Sequence, residues 1–413
     1  MSKKNSIDED DKEEENFFSK NNNKDKKINN NTIELDEDEE ERKLAGKKDI
    51  IEPEEKEKDK EFVSYKKYYE SSARDPGKEG RKASRIIFLR SFNNWVKASL
   101  INKYCRKLGR GLSILELCCG KGGDLDKYFM NQIKLFVGAD ISSESLKNAM
   151  NRLEKIKNEK YSKNFEVKCI FIKEDLSHPE NRFLEKFDKK YYFDLVSCQF
   201  ALHYHFENEK RLNAFLINAS SRLCEGGYFI GTVVDDNVIV KRLRNRKNIP
   251  ENKYIKEKFT FGNEYYSVKF SQKHFNKSDG PYGIKYGFYL EDSIDNRDEQ
   301  GNIKYVEEYL IVFNEFVELC KKYDLHLVER ENFTKFYSDY TKIDHYKKLS
   351  NKMLKFPNSS NMNQQWEIIQ LYMVFVFRKG KENNTKEKYI PYLAKSGIKF
   401  NNYKPELMEG TFD

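Results

Sequence analysis

Cysteine, proline and tryptophan are scarce in this sequence. Its 413 residues include seven cysteines, eight prolines and two tryptophans. Seven is an odd count, and no pair has Cys-x-x-Cys spacing. That pattern excludes a disulfide framework and a cysteine zinc site, and predicts reduced, buried thiols of an intracellular protein. Long apolar runs are missing too. No stretch approaches the roughly 20 residues that a membrane helix needs, and no signal-peptide pattern is found. His203 and His205 flank Tyr204. Histidines so close point in different directions, and no acid or thiol set completes a ligand group, so no metal is expected.

Charge is abundant. Charged residues make up 35% of the chain, with a net charge of +8. The surplus mildly favours an anionic partner and says nothing of fold. Residues 1–62 are rich in Lys, Glu, Asp and Asn and include an acidic block, Glu34 to Glu41. Such a segment buries too little apolar surface to offset the entropy of ordering, so a disordered charged tail is expected. Lys24 to Lys27 reads as a solvated charge run in preference to a nuclear import signal.

The organising stretch is Ser113-Ile-Leu-Glu-Leu-Cys-Cys-Gly-Lys-Gly-Gly-Asp124. It reads as a buried strand, a glycine turn and the start of a helix. Such a turn presents backbone N–H groups at the carboxyl edge of a doubly wound sheet. A second apolar run, Leu135 to Ala139, ends in Asp140, where such folds hold ribose hydroxyls. Regular alternation continues through strands 167–172, 192–198 and 228–233, with helices 142–158 and 207–223 between them. Ser142 is the expected N-cap of the first. Upstream, Ile86, Leu89, Phe92, Val96, Leu100 and Tyr104 recur at helical spacing. The polar face of that helix carries Asn93, Asn94 and Lys97, which either face solvent or point at the glycine turn.

The second half breaks the rhythm. Residues 241–258 read as a basic, turn-like insert, and 261–270 and 286–290 as antiparallel strands. Residues 307–322 read as a helix and 325–330 as a strand. A Tyr- and Lys-rich connection then leads to an apolar strand at 371–377, and residues 383–413 form a polar extension whose end frays. The fold class is therefore α/β: a Rossmann-like, mostly parallel seven-stranded sheet with helices on both faces, antiparallel insert strands at about 258–292, and the tail. Residues 63–382 form the folded domain.

Asp140, Asp175 and Gln199 each follow an apolar strand at the same sheet edge. Together they suit a nucleoside-type ligand: Asp140 for ribose hydroxyls, Asp175 for an adenine amine, Gln199 through backbone or amide. Lys277-Ser-Asp-Gly280 resembles the lysine motif of covalent nucleotidyltransferases but lacks that family's other motifs.

Five segments together resemble the eukaryotic mRNA cap guanine-N7 methyltransferases, which have the class I S-adenosylmethionine-dependent fold. They are Ser84–Lys97, Cys119–Leu125, Ser197–Tyr204, Gly226–Thr232 and Phe261–Glu264. The likeness spans about Tyr65 to Phe377. It implies cofactor contacts at Lys97, Cys118, Asp140, Asp175, Gln199 and Tyr204. It implies cap contacts at Asn93, Asn94, Lys121, Lys127, Arg152, His203, Glu308 and Tyr372. It further implies S-adenosyl-L-methionine as cofactor, with S-adenosyl-L-homocysteine as product. Capped nascent mRNA is the implied substrate, in the nucleus. A separate capping guanylyltransferase, transcribing RNA polymerase II or an activating subunit are the implied protein partners. Two positions depart from the family pattern. Glu116 stands where the family usually has Asp, and Cys118 where it usually has Gly.

The implied chemistry needs no acid, base or nucleophile. Guanine N7 is unprotonated at neutral pH and the sulfonium methyl is already activated, so alignment and water exclusion suffice. Glu308, His203 and Tyr372 would position the base, and Lys121, Lys127 and Arg152 would neutralise the triphosphate. Two alternatives stay open. One is a methyltransferase for another RNA or a small molecule. The other is a cap-binding scaffold with little turnover, which a poorly fitting Cys118 would favour.

Overall fold

The computed structural model describes residues 62–71, 83–161, 165–180, 183–245, 259–271, 280–294, 297–354, 361–381, 389–400 and 403–408. The charged tail before Phe62, most of the basic insert and Lys277 of the Lys-Ser-Asp-Gly motif lie outside them.

Strands β1 (Ser113–Leu117), β2 (Leu135–Asp140), β3 (Lys168–Lys173), β4 (Phe193–Gln199) and β5 (Leu223–Val234) are joined by helices and pair in parallel. β1 to β4 are dominated by buried apolar residues along their whole length, as strands covered on both faces require. Four antiparallel strands come next: β6 (Thr260–Gly262), β7 (Tyr266–Phe270), β8 (Lys285–Leu290) and β9 (Val306–Tyr309). β10 (Leu325–Asn332) and β11 (Tyr372–Lys379) return to the main sheet antiparallel, and β12 (Glu406–Met408) joins beside β3. The main sheet runs β10-β11-β5-β4-β1-β2-β3-β12. Strand order reverses between β1 and β4, and at such a reversal the loops beyond the carboxyl ends diverge and leave a crevice.

The long helix Ile87–Leu108 covers one face, burying Leu89, Phe92, Val96, Leu100 and Tyr104 as their spacing predicts. The helices Glu209–Ser220 and Phe313–Lys321 cover the other. Ser142 caps its helix by accepting from Ser145 N.

Four local expectations change. Residues 307–322 are not one helix. Glu308 lies on β9, where its backbone is registered with Tyr286 of β8, and the helix starts at Phe313. Edge pairing with β8 outweighs the weak helical preference of Val-Glu-Glu-Tyr. The start of the basic insert is the helix Asp236–Arg244, anchored by buried Ile239 and Leu243 one turn apart. The connection after β10 holds three helices, Phe333–Tyr340, Asp344–Met353 and Met362–Ile369, the first two anchored by buried aromatics and the third by Ile368 and Ile369. The polar extension forms the helix Tyr392–Ser396 and adds β12 as an eighth strand to the expected seven.

One buried carboxylate fastens that extension. Asp194, at the start of β4, accepts at Oδ2 from Ser113 N and Oγ, and at Oδ1 from Tyr389 Oη and Tyr392 N, all between 2.7 and 2.8 Å. Its removal leaves the buried Ser113 N and the half-buried Tyr392 N without this acceptor. Asp194→Ala is therefore expected to cost about 3 kcal/mol and Tyr389→Phe about 1 kcal/mol, read from urea unfolding. Equal losses in the two variants would show that the anchoring does not run through this carboxylate.

Candidate active site

The glycine turn is built by backbone geometry. Gly120 and Gly122 have φ of 50° and 66°. A Cβ on Gly122 would stand 2.7 Å from Leu125 Cδ1 and 3.1 Å from Ala149 Cβ, so the turn must be bare for the two helices to pack. Gly120 N donates to Asp140 Oδ2 at 2.8 Å, and Ser142 N to Oδ1 at 3.0 Å. Burial raises this carboxyl despite those donors. Cys118, just before the turn, has φ of 57°.

Lys97 and Lys127 converge on one acid. Asp124 Oδ2 lies 2.8 Å from Lys97 Nζ and Oδ1 lies 2.7 Å from Lys127 Nζ. Burial pulls this carboxyl up, but the two ammonium groups outweigh it and hold it well below the usual range. Lys127 also donates to Asn94 Oδ1 at 3.0 Å. The polar face of the long helix thus points at the glycine turn. Arg152 Nη1 stands beside Gly123, 3.8 Å from where an added Cβ would lie, and Lys121 sits on the turn itself.

Asn93 Oδ1 and Glu116 Oε2 are buried here without a hydrogen-bond partner among the described residues. Glu116 Oε1 accepts from Tyr128 Oη at 3.2 Å. Burial and the nearby Asp124 raise its carboxyl well above the usual range. An orphaned acid beside a glycine cradle and a ribose-type acid fits an amino-acid-bearing nucleoside such as S-adenosylmethionine, whose ammonium supplies the missing donor.

The other sheet-end residues are already engaged. Gln199 donates to Ser197 Oγ at 2.9 Å and accepts from Thr232 Oγ1 at 3.0 Å, which commits its amide to the sheet. Asp175 accepts from Lys66 Nζ at 2.9 Å and from Arg211 at 3.2 and 3.3 Å. Burial raises it, and Arg211 and Lys66 more than reverse that.

Sequence reasoning missed Lys66, Tyr69 and Arg211. Lys66 and Tyr69 belong to the short helix Tyr65–Ser71, which crosses the crevice. Tyr65 stacks on Tyr204 at 4.6 Å, and the Tyr69 and Tyr204 hydroxyls lie 2.9 Å apart. Just upstream, Val63 N donates to Tyr305 O and Glu307 N to Val63 O, which docks the segment beside β9. The one available signal was the tyrosine-rich run itself.

Glu308 is fully enclosed. Tyr286 Oη donates to its Oε2, and His203 Nε2 approaches Oε1 at 3.5 Å without forming a hydrogen bond. Burial, opposed only by Tyr286, pushes Glu308 up to about 8. Burial pushes His203 down to about 3. Both are therefore uncharged at neutral pH, and both His203 ring nitrogens are unpartnered among the described residues. Tyr372 packs between Phe200 and Phe333 at 5.2 and 5.7 Å, and its hydroxyl is raised by burial and by the Glu308 charge. Among the described residues no group of His, Cys, Asp and Glu forms a metal site.

The Glu308 proton has a thermodynamic signature. Its folded pKa of about 8 lies above an unfolded value of ~4.3. Between these the folded state holds one proton more, so this group's contribution to stability falls as pH rises from about 4.5 to about 8. Thermal unfolding of Glu308→Gln lacks that decline, so its midpoint is expected to gain on wild type steadily across the window. A difference independent of pH would show that the carboxyl is not held protonated.

The family model described as mRNA (guanine-N(7))-methyltransferase domain matches residues 51–380. The mRNA cap guanine-N(7) methyltransferase 1 of Oryza sativa subsp. japonica is 35% identical over 309 residues, 73% of this chain and 77% of that protein. The Saccharomyces cerevisiae mRNA cap guanine-N(7) methyltransferase is 37% identical over 265 residues, 62% of this chain and 55% of that protein. A solved S-adenosylmethionine-dependent methyltransferase from Clostridium acetobutylicum aligns with TM-score 0.39 and 13% identity, covering 71% of this chain and 92% of its own.

Proposed function

This chain belongs to the mRNA (guanine-N(7))-methyltransferase family, and we propose that it places the cap guanine against Glu308 and the cofactor against Asp140. It is an S-adenosylmethionine-dependent enzyme that methylates N7 of the mRNA cap guanine. The observation that carries the site assignment is Glu308, an enclosed acid beside His203, whose ring packs on Tyr204 with centroids 4.0 Å apart.

When bound, the cofactor supplies an activated methyl group on a sulfonium. The chain's own residues position and exclude water. Asp140, fixed by Gly120 and Ser142, accepts from ribose hydroxyls. Asp175 accepts from the adenine amine while Lys66 and Arg211 keep it ionised. Glu116 receives the ammonium, and the backbone at Cys118 and Gln199 lines the pocket with Lys97 and Tyr204 at its margin.

On the cap side, Lys121, Lys127 and Arg152 neutralise the triphosphate, and Asn93 and Asn94 border it. Guanine N1–H and its exocyclic amine donate to Glu308, which must shed its proton to accept both. His203 and Tyr372 hold the ring in plane. Methylation makes the base cationic, and an ionised Glu308 stabilises that charge in a site of low dielectric. In-line alignment of N7 with the methyl group supplies the remaining barrier lowering, and no general base takes part.

Family membership supports capped transcripts as the substrate. We extend this to nuclear action, with a guanylyltransferase, RNA polymerase II or an activating subunit as protein partners and residues 1–62 as the tether. The test is methyl transfer from radiolabelled S-adenosylmethionine to GpppG-capped RNA, with nuclease mapping of the product. Glu308→Ala and Asp140→Ala are each expected to lose at least ~10²-fold, the first with cofactor binding intact and the second with it weakened. Full activity in Glu308→Ala would overturn the assignment of the cap pocket.

A further inference from the structure

Cys118 holds a backbone conformation that L side chains rarely adopt, φ 57°, at a position where the family resemblance expects glycine. That conformation aims the next two backbone donors at β2. Cys119 N donates to Ala139 O at 2.9 Å and Gly120 N to Asp140 Oδ2 at 2.8 Å. If residue 118 relaxed to a right-handed or extended backbone, both donors would swing away from that strand.

The Cβ makes this position costly, and the thiol it carries is not loose. Its sulfur lies 3.5 Å from His205 Nε2 and is also in hydrogen-bonding contact with the Cys198 thiol. Cys198 is the register partner of Leu117 across the β1–β4 pair, so the thiol is taken up by the neighbouring strand and the turn beyond its end. The His205 ring is itself fixed. It stacks on Phe215 with centroids 3.9 Å apart and planes 17° apart, inside the Leu202–Glu207 turn. That turn also carries His203, which faces Glu308.

We infer that His205 is a positioning residue for the cofactor turn: it receives the Cys118 side chain and so keeps a non-glycine residue in the left-handed conformation that aims Gly120 at Asp140. This rests on the reading that the glycine turn holds S-adenosylmethionine. It also accounts for how the turn can retain its form with Cys at position 118. The thiol is held against His205, in the turn that follows β4.

The test is a double-mutant cycle on the full chain, comparing wild type, His205→Ala, Cys118→Gly and the double variant. S-adenosylhomocysteine binding is measured by calorimetry, and thermal unfolding is recorded without ligand. His205→Ala is expected to weaken binding roughly tenfold, the order of a left-handed side-chain penalty. In the Cys118→Gly background the same change is expected to move it less than about twofold, because glycine needs no partner there. Equal losses in both backgrounds, or no loss in the first, overturn the inference, since His205 would then act only through its packing on Phe215. If wild type fails to bind, the cofactor reading fails by itself. The unfolding midpoints then decide: a drop on His205→Ala confined to the Cys118 background sustains the positioning role, and an equal drop in both overturns it.

Discussion

The two-cation grip on Asp124 is the constraint on which the site depends. Lys97 comes from the long helix and Lys127 from the short helix after the glycine turn, and both ammonium groups close on one buried carboxylate. Burying three charges is costly unless their geometry is near ideal. The separations of 2.7 and 2.8 Å meet that demand, and Asn94 Oδ1 accepts a further hydrogen bond from Lys127. The long helix is thereby locked to the turn. The cofactor side and the cap side inherit one common frame, which a reaction governed by alignment requires.

Around that frame the electrostatics divide into two kinds. Two acids are ionised because cations reach them: Asp124 by two lysines, Asp175 by Lys66 and Arg211. Around Glu308 no lysine or arginine among the described residues pairs with the acid, so burial governs it and holds it protonated.

The sheet was legible because its strands are nearly continuous apolar runs punctuated by glycine and acid. Asp140 and Asp175 could be placed from Leu135–Ala139 and Val167–Ile172 alone. Glu308 was reachable only through family resemblance. Its own segment misleads, because alternating burial at Val306 and Glu308 covers just four residues and blends into the helix beyond. Lys66 and Arg211 were invisible for a different reason. Each meets Asp175 from another element, 109 and 36 residues away, and nothing local marks either side chain as inward-facing. The helices after β10 escaped because aromatic anchors such as Phe336, Tyr340 and Tyr346 are poor helix formers whose packing overrides propensity.

The pairing of β12 with β3 sets a timetable for the growing chain. Lys168 and Glu406, which meet across that pair, are 238 residues apart in sequence. During synthesis the outer edge of β3 therefore stays uncovered while more than half of the protein is still being made. An apolar strand with an open ladder is a template for foreign strands, and long-range parallel pairing is slow to form. The last native contact to form in the sheet is thus also the one that ends its exposure to aggregation, and chaperone demand should be concentrated in that interval.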